Sequence, residues 1–199
     1  MARPVEFNRE DVVKKAMAAF WRSGFQATSV TDLVSATQIN PGSLYGAFTN
    51  KRGLFIEVIE AYASEQLSRI TECFHQEISP LSRIASFLHG YCDTLAANEQ
   101  GHGCLIVNTL LELSDQDPEI QNRIERYHAQ IEAELVDSLE RARLMGELPE
   151  DIRPEDHAKC LMTGLWGLQV FSSKRPCRQE YDVIIESMLS SLGHRLNNA

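Results

Sequence analysis

Apolar residues recur every three to four positions along almost the whole chain, the spacing that places them on one face of a helix. No stretch shows the strict alternation of apolar and polar residues that a half-buried strand needs, and no internal repeat or low-complexity tract is found. The pattern therefore predicts an all-α fold, in which a small N-terminal group of short helices precedes a bundle of longer ones.

Capping residues divide the N-terminal part into its helices. The first helix is predicted to begin after Asn8, a good N-cap, and to end near Gly24. A short helix is predicted over residues 29–37. Asn40 and Pro41 then supply an N-cap followed by proline, which opens a second short helix. A long helix follows this one and leads into the rest of the chain.

The C-terminal part repeats the same start signal. Proline marks three further predicted helix starts, at Pro80, Pro118 and Pro154. The helix after Pro118 is predicted to be long, because its apolar period continues for about seven turns. The last two helices are predicted over residues 155–172 and 179–194.

Two short helices joined by a tight turn and braced by a longer one are typical of a helix-turn-helix, whose second helix lies in the major groove of DNA. We therefore predict an N-terminal three-helix, helix-turn-helix DNA-binding domain over residues 1–50 and a C-terminal helical domain over residues 51–199.

The distribution of charge along the chain favours a DNA-binding N-terminal part, although the net charge of the whole chain argues against binding to DNA. A formal charge of -9 on 199 residues argues against a nucleic-acid partner, since affinity for DNA comes largely from lysine and arginine. Residues 1–55, however, carry seven basic and four acidic side chains, whereas residues 56–199 carry 12 and 24. A mildly basic head on an acidic body is compatible with DNA binding through the head alone.

The candidate DNA-contacting residues cluster on the two short helices and at the start of the long one. Hydroxyls and free backbone N–H groups at a helix start can bind a phosphate oxygen, as can a lysine at the next helix start. The phosphate candidates are Thr28, Ser29, Thr31 and Lys51. The groove-facing candidates are Pro41, Gly42, Ser43, Tyr45, Gly46 and Ala47, with Leu44 and Phe48 turned inward.

The alternative for this region is a three-helix bundle in which the serine, threonine and lysine residues only cap helices. Capping alone explains Ser29 or Asn50 taken singly. The concentration of basic residues in the same 55 positions favours DNA binding.

The residues of this region resemble the DNA-binding domain of the TetR family of transcriptional regulators over positions 8–55. The resemblance lies in Gly24-Phe25, Ala27-Thr28-Ser29-Val30, Ile39-Asn40-Pro41-Gly42-Ser43-Leu44-Tyr45, Phe48, Asn50-Lys51 and Leu54-Phe55. It implies a homodimer that binds a palindromic operator, usually as a repressor, and that releases DNA when a small molecule enters the C-terminal domain. Residues 51–199 would then form the effector-binding and dimerisation domain.

The last two helices carry the predicted dimer surface. A protein that reads a palindrome needs two heads roughly 34–36 Å apart. Gly164 and Gly167 lie three residues apart beside Leu161, Leu165 and Trp166, which would let a second helix approach closely. The alternative is that these apolar stripes only fill the core of one chain, and for about half of them we expect this.

The effector site is less defined by the sequence. In the segment Gly101-His102-Gly103-Cys104, a thiol opens an apolar helix, and a helix N-terminus lowers the pKa of a thiol. Cys104, with His102, could therefore sense an oxidant or electrophile; alternatively, Cys104 is a small buried core residue. Tyr91, Tyr127 and Trp166 could line a ligand cavity or belong to the core.

No cofactor and no metal are predicted. His89 and Cys92, spaced three apart on one helix face, could join His102 and Cys104 in a metal site, but no spacing forces the two pairs together. Scattered histidines and cysteines on apolar faces are more often core residues.

Other classes of protein fit the sequence less well. The chain has no Gly-x-Ser-x-Gly, no His-Glu-x-x-His and no phosphate-binding glycine loop, so an enzyme is not expected. Five widely spaced cysteines without an export signal, and no apolar run long enough to span a membrane, predict a cytoplasmic protein. The remaining alternative is an all-helical dimeric protein-interaction module without sequence-specific DNA binding.

Overall fold

A computed structural model describes residues 7–97, 102–113 and 116–192. Within these ranges the chain forms nine helices and no strand, which confirms the predicted all-α class. The helices are α1 (Arg9–Ala27), α2 (Val30–Thr37), α3 (Pro41–Phe48), α4 (Lys51–Phe74), α5 (Pro80–Ala97), α6 (Leu105–Leu113), α7 (Pro118–Leu144), α8 (Pro154–Ser172) and α9 (Arg178–Ser190). None of the helices in the described ranges is long and apolar enough to cross a membrane.

The predicted helix starts are confirmed by their caps. The side chain of Asn8 accepts a hydrogen bond from the third amide of its helix, and that of Asn40 does the same at the start of α3. Ser29 and Asp32 form a capping box at the start of α2, with each side chain bonded to the other residue's backbone. These bonds satisfy amides that a helix start otherwise leaves without a partner.

The end of α1 differs from the prediction. Gly24 leaves helical geometry, with φ at +78°, as expected for a terminating glycine, but the helix continues beyond it to Ala27. The last helix ends at Ser190, and the final two residues of its predicted range, 193–194, lie outside the described residues.

The described residues of Met1–Glu65 and Cys104–Ile124 form one compact unit. Its core is built from the inward faces of α1 to α4, with Phe20, Leu33, Leu44 and Phe55 almost completely buried. The rings of Phe20 and Phe55 meet edge to face at 4.8 Å between centroids. That α6 and the first turns of α7 belong to this unit was not predicted from the sequence.

The described residues of Gln66–Gly103 and Glu125–Ala199 form the second unit, in which α5 packs against α8 and α9. The buried Tyr181 of α9 packs edge to face on Phe171 of α8. A Cβ added at Gly164 would lie 2.5 Å from Cε of Met188, so this glycine lets α9 pack closely on α8 within one chain.

Candidate nucleic-acid interface

The outer face of α3 is small, uncharged and open to solvent. Pro41, Gly42 and Gly46 are exposed, and Ser43 and Tyr45 are partly exposed. A Cβ added at Gly46 would meet no heavy atom within 4 Å. A helix with such a surface can approach another surface closely, as a helix in the major groove must.

The inner face of α3 is fixed in the core. Leu44 and Phe48 are turned inward, as predicted, and are almost completely buried. Two buried anchors one turn apart hold the helix in a single orientation, so the position of its outer face is determined by core packing.

The connection from α3 to α4 is equally constrained. Thr49 adopts a φ of +68°, and the amide of Asn50 donates to the carbonyl of Phe48 at 2.7 Å, which closes a tight three-residue turn. A Cβ at Gly53 would lie 2.1 Å from that same carbonyl oxygen, so only glycine fits there. The C-terminal end of α3 is therefore held against the first turn of α4.

The three hydroxyl candidates near α2 differ in their surroundings. The side chain of Thr28 is only 1% exposed, and its Oγ1 donates to the carbonyl of Gly24 at 2.6 Å. Ser29 is exposed, but its Oγ donates to Asp32 as part of the capping box. Thr31 is exposed. Of the three residues, Thr28 turns its hydroxyl inward, and only its backbone could reach a phosphate.

Lys51 lies in the first turn of α4 and contacts the segment before α2. Its Nζ donates to the carbonyls of Gln26 at 3.3 Å and Thr28 at 2.7 Å, and it lies 4.6 Å from the centre of the Phe25 ring. An ammonium has three N–H donors. Two of them are used by these carbonyls, and the third is the one that a phosphate oxygen could take.

Three of the six described basic side chains of residues 1–55 pair with acids. Arg9 pairs with Glu57 and lies over the ring of Phe48, and Lys15 pairs with Asp11. Arg52 donates to both oxygens of Asp117 and also pairs with Glu119, which raises the pKa of its guanidinium. Part of the positive charge of the head is thus neutralised within the fold.

The expected lowering of the Cys104 pKa is wrong. Cys104 does precede α6, and the amides of Val107 and Ile106 hydrogen-bond its thiol, which favours the thiolate. Its burial outweighs these bonds and raises the pKa of the thiol. The hydroxyl of Tyr62 lies 3.6 Å from Sγ. Cys104 is thus a protonated, buried thiol at neutral pH.

The aromatic effector candidates lie in the second unit, with half-buried His102. The rings of Tyr127 and Trp166 both lie against that of His128, at 5.5 and 5.0 Å between centroids. Tyr91 instead bonds the buried side of α8, where its hydroxyl donates to the carbonyl of Leu165. The structure therefore brings Tyr127 and Trp166 together through a histidine and holds Tyr91 in a different set of contacts.

The metal hypothesis gains no support from the side-chain positions. Nowhere in residues 7–97, 102–113 and 116–192 do three histidine, cysteine or acidic side chains converge on a possible metal position. His89 instead lies beside Arg178 and Asp182 of α9. Gly101, part of the cysteine segment singled out above, lies outside the described residues.

Two residues of the first compact unit were not predicted from the sequence. Tyr62 contacts the thiol of Cys104, and Glu112 binds two backbone amides of α1. A signal for Glu112 was present, because it is the one charged side chain in the otherwise uncharged α6 sequence LIVNTLLEL. A lone acid in an apolar helix indicates a specific partner.

Comparison with protein families matches both parts of the chain. Residues 12–58 match the family described as bacterial regulatory proteins, tetR family. Residues 80–187 match the family described as tetracyclin repressor-like, C-terminal domain.

Individual relatives agree with the family matches. The HTH-type transcriptional repressor ComR of Escherichia coli (strain K12) is 33% identical over 148 residues, which cover 74% of this chain and 70% of ComR. The HTH-type transcriptional repressor DhaR of Mycobacterium sp. (strain GP1) is 23% identical over 188 residues, 92% of this chain and 93% of DhaR.

Among solved structures, a cysteine mutant of the TetR family transcriptional regulator CifR, complexed with 26-bp double-strand operator DNA, superposes with a TM-score of 0.83. It is 26% identical, and the match covers 96% of this chain and 100% of that one.

Proposed function

Because this chain belongs to the TetR family of bacterial regulatory proteins and is a DNA-binding transcriptional repressor, we propose that it binds a palindromic operator as a homodimer and is released by a small-molecule or thiol-reactive effector. In this proposal residues 1–50 form the DNA-binding domain, and residues 51–199 bind the effector and dimerise. The protein acts on DNA in the cytoplasm, without a cofactor.

The observation that carries the proposal is the open, rigidly held outer face of α3. Leu44 and Phe48 hold the helix in the core. Gly42 and Gly46 have no side chains, so the outer face of α3 can come close to base edges. Ser43 and Tyr45 supply the polar side chains of this face, with Pro41 at its start. Phosphate contacts come from Lys51, from the α2 start at Ser29 and Thr31, and from the backbone at Thr28.

Lys51→Ala tests the phosphate contact. We expect binding to all DNA sequences to weaken alike, and the slope of log affinity against log salt to flatten by about one unit, because one phosphate contact is lost. The measurement is an operator titration at several salt concentrations. Lys159→Ala, which removes an exposed lysine of α8, is the matched control and should leave the slope unchanged. An unchanged slope in Lys51→Ala would exclude Lys51 from the interface.

An apolar outer face on the last two helices supports the homodimer. Trp166, Val170 and Val183 are 36%, 60% and 63% exposed in the single chain, and Trp166 and Val170 lie one turn apart on the same face of α8. A Cβ at Gly167, between the first two, would meet no atom within 4 Å, so a second helix could approach there. About half of the predicted stripe, including Leu161 and Leu165, fills the core instead.

Cys104→Ser tests whether a thiol-reactive effector releases the protein from DNA by reacting with Cys104. We expect this variant to bind operator normally and to resist release by N-ethylmaleimide, whereas Cys160→Ser, at an exposed cysteine, should behave as the wild type. Because burial raises the pKa of Cys104, its thiolate fraction, and with it the rate of release, should keep increasing at alkaline pH values where an ordinary cysteine thiol is already ionised. Undiminished release of Cys104→Ser would exclude Cys104 as the sensor and leave a non-covalent effector as the remaining possibility.

A non-covalent effector would use Tyr127 and Trp166, whose rings meet at His128, and Tyr91 and His102 remain separate candidates for its contacts. Its coupling to operator binding needs a differential affinity of roughly 1–3 kcal/mol, which corresponds to about 5- to 150-fold in operator binding.

A further inference from the structure

The carboxylate of Glu112, on α6, is bound to the backbone of α1. Its Oε2 accepts from the amide of Phe25 at 2.9 Å, and its Oε1 from the amide of Gln26 at 2.7 Å. Both amides directly follow the break in helical geometry at Gly24. Hydrogen bonds from backbone amides to a carboxylate are about twice as strong as neutral ones, so this contact fixes the segment firmly.

Glycine is required beside this contact. A Cβ added at Gly24 would lie 2.8 Å from Oε2 of Glu112, and the φ of +78° at Gly24 disfavours any other residue. A second side-chain bond reinforces the junction, since Nε2 of Gln26 donates to Oε1 of Gln116 at 2.8 Å. The end of α1 is thus bound to Glu112 and Gln116 by three hydrogen bonds.

The carbonyl side of the same segment is bound by Lys51. The amide of Gln26 donates to Glu112, while the carbonyl of Gln26 accepts from the ammonium of Lys51, and so does the carbonyl of Thr28. Residues 25–28 therefore lie between a carboxylate on α6 and an ammonium on α4.

We propose that the Glu112 carboxylate is a positioning residue that holds Lys51 for phosphate binding through residues 25–28. This inference rests on the proposed function, because it concerns a residue that supports the same DNA-binding surface. Glu112 lies near one end of α6, and the buried Cys104, in contact with Tyr62, lies just before the other.

The contacts around Tyr62 show how α6 is held at its beginning. The ring of Tyr62 packs edge to face on Trp21 of α1 at 5.4 Å, and its hydroxyl reaches Cys104. A helix of nine residues joins this contact to Glu112. The helix that carries the Glu112 carboxylate is therefore linked to α1 near both of its ends, directly through Glu112 and through Tyr62 at Cys104.

Glu112→Gln tests the inference through operator affinity and its salt dependence. The amide offers one acceptor where the carboxylate offers two, so we expect about tenfold weaker operator binding. We also expect the salt slope to fall towards that of Lys51→Ala. In a Lys51→Ala background, Glu112→Gln should cause no further loss.

The control is Glu60→Gln, which removes the same charge from an exposed acid in the same unit, whose partner Arg123 also pairs with Glu119. Loss of an acid by itself strengthens binding to polyanionic DNA, so this variant should bind as well as the wild type or better. The sign of the effect thus separates positioning by Glu112 from a general change in charge. Glu112→Asp, which keeps the charge but withdraws the carboxylate by one methylene, should behave as Glu112→Gln does.

Several outcomes would overturn the inference: tighter or unchanged binding by Glu112→Gln, an unchanged salt slope, or losses that add to those of Lys51→Ala. If Glu112→Gln does not fold, the same readings on Glu112→Asp decide. Failure of the wild-type chain to bind any operator would contradict the proposed function itself. A wild-type chain that binds, together with a Glu112→Gln variant that binds equally well, would overturn this inference alone.

Discussion

Gly46→Glu is expected to weaken operator binding strongly while the protein stays folded. Gly46 lies on the outer face of α3, and a Cβ there would meet no atom of the chain within 4 Å. In the major groove, however, the new carboxylate would lie between two phosphate backbones, where like charge costs several kcal/mol. We expect affinity to fall by roughly two orders of magnitude, which corresponds to about 3 kcal/mol.

The folded state should not suffer from this change. Glycine inside a helix is less favourable than a good helix former by roughly 0.5–1 kcal/mol, so the thermal midpoint of Gly46→Glu should match or exceed that of the wild type. Gly90→Glu is the matched control, because Gly90 is also an exposed helical glycine with open space at its Cβ position, but it lies on α5. Equal DNA binding by the two variants would show that α3 does not enter the groove.

Val170→Asp is expected to convert the protein into a monomer. Val170 is 60% exposed in the single chain, so an aspartate there is solvated and costs the isolated chain little. In a symmetric dimer across this face the substitution occurs twice, and each buried, unpaired carboxylate costs about 3 kcal/mol or more. We expect dimerisation to weaken by roughly a thousandfold or more, and tight binding to a two-half-site operator to be lost with it.

Light scattering at micromolar concentration provides the measurement. The matched control is Leu144→Asp, which places the same charge on a side chain that is 72% exposed, at the end of α7. It should remain a dimer that binds operator. A dimeric Val170→Asp protein would place the dimer interface elsewhere.

Much of the fold could be predicted from the sequence because its helix starts are specified locally. Asn8, Ser29 and Asn40 each bond amides within their own first turn, and these caps lie where the residue types indicate. The inward direction of Leu44 and Phe48 was also predictable, since they lie four residues apart on one helix face.

Contacts between residues distant in sequence could not be predicted in the same way. The amides that Glu112 binds lie 86 and 87 residues before it, and no local rule connects them. Arg52 was counted as part of a basic head, yet its partner Asp117 lies 65 residues further on. Composition shows how many charges a segment carries but not which of them the fold neutralises.

For two candidate residues the position was predicted correctly, but the surroundings of the side chain were not. The position of Cys104 before α6 was predicted correctly, but its pKa depends on how deeply the rest of the chain buries it. Thr28 is in the predicted place, and its hydroxyl turns to Gly24 because that carbonyl is four residues away and accessible from inside. The DNA contacts of the remaining candidates stay predictions.

In the proposed complex the outer face of α3 enters the major groove in two symmetric copies. Methylation protection of guanine N7 on an operator fragment reports on this placement, because N7 is exposed in the major groove. We expect two protected patches on one face of the duplex, separated by about one helical turn or a multiple of it, and lost together in Gly46→Glu. Full methylation of every guanine on a fragment that the protein demonstrably retains would contradict it.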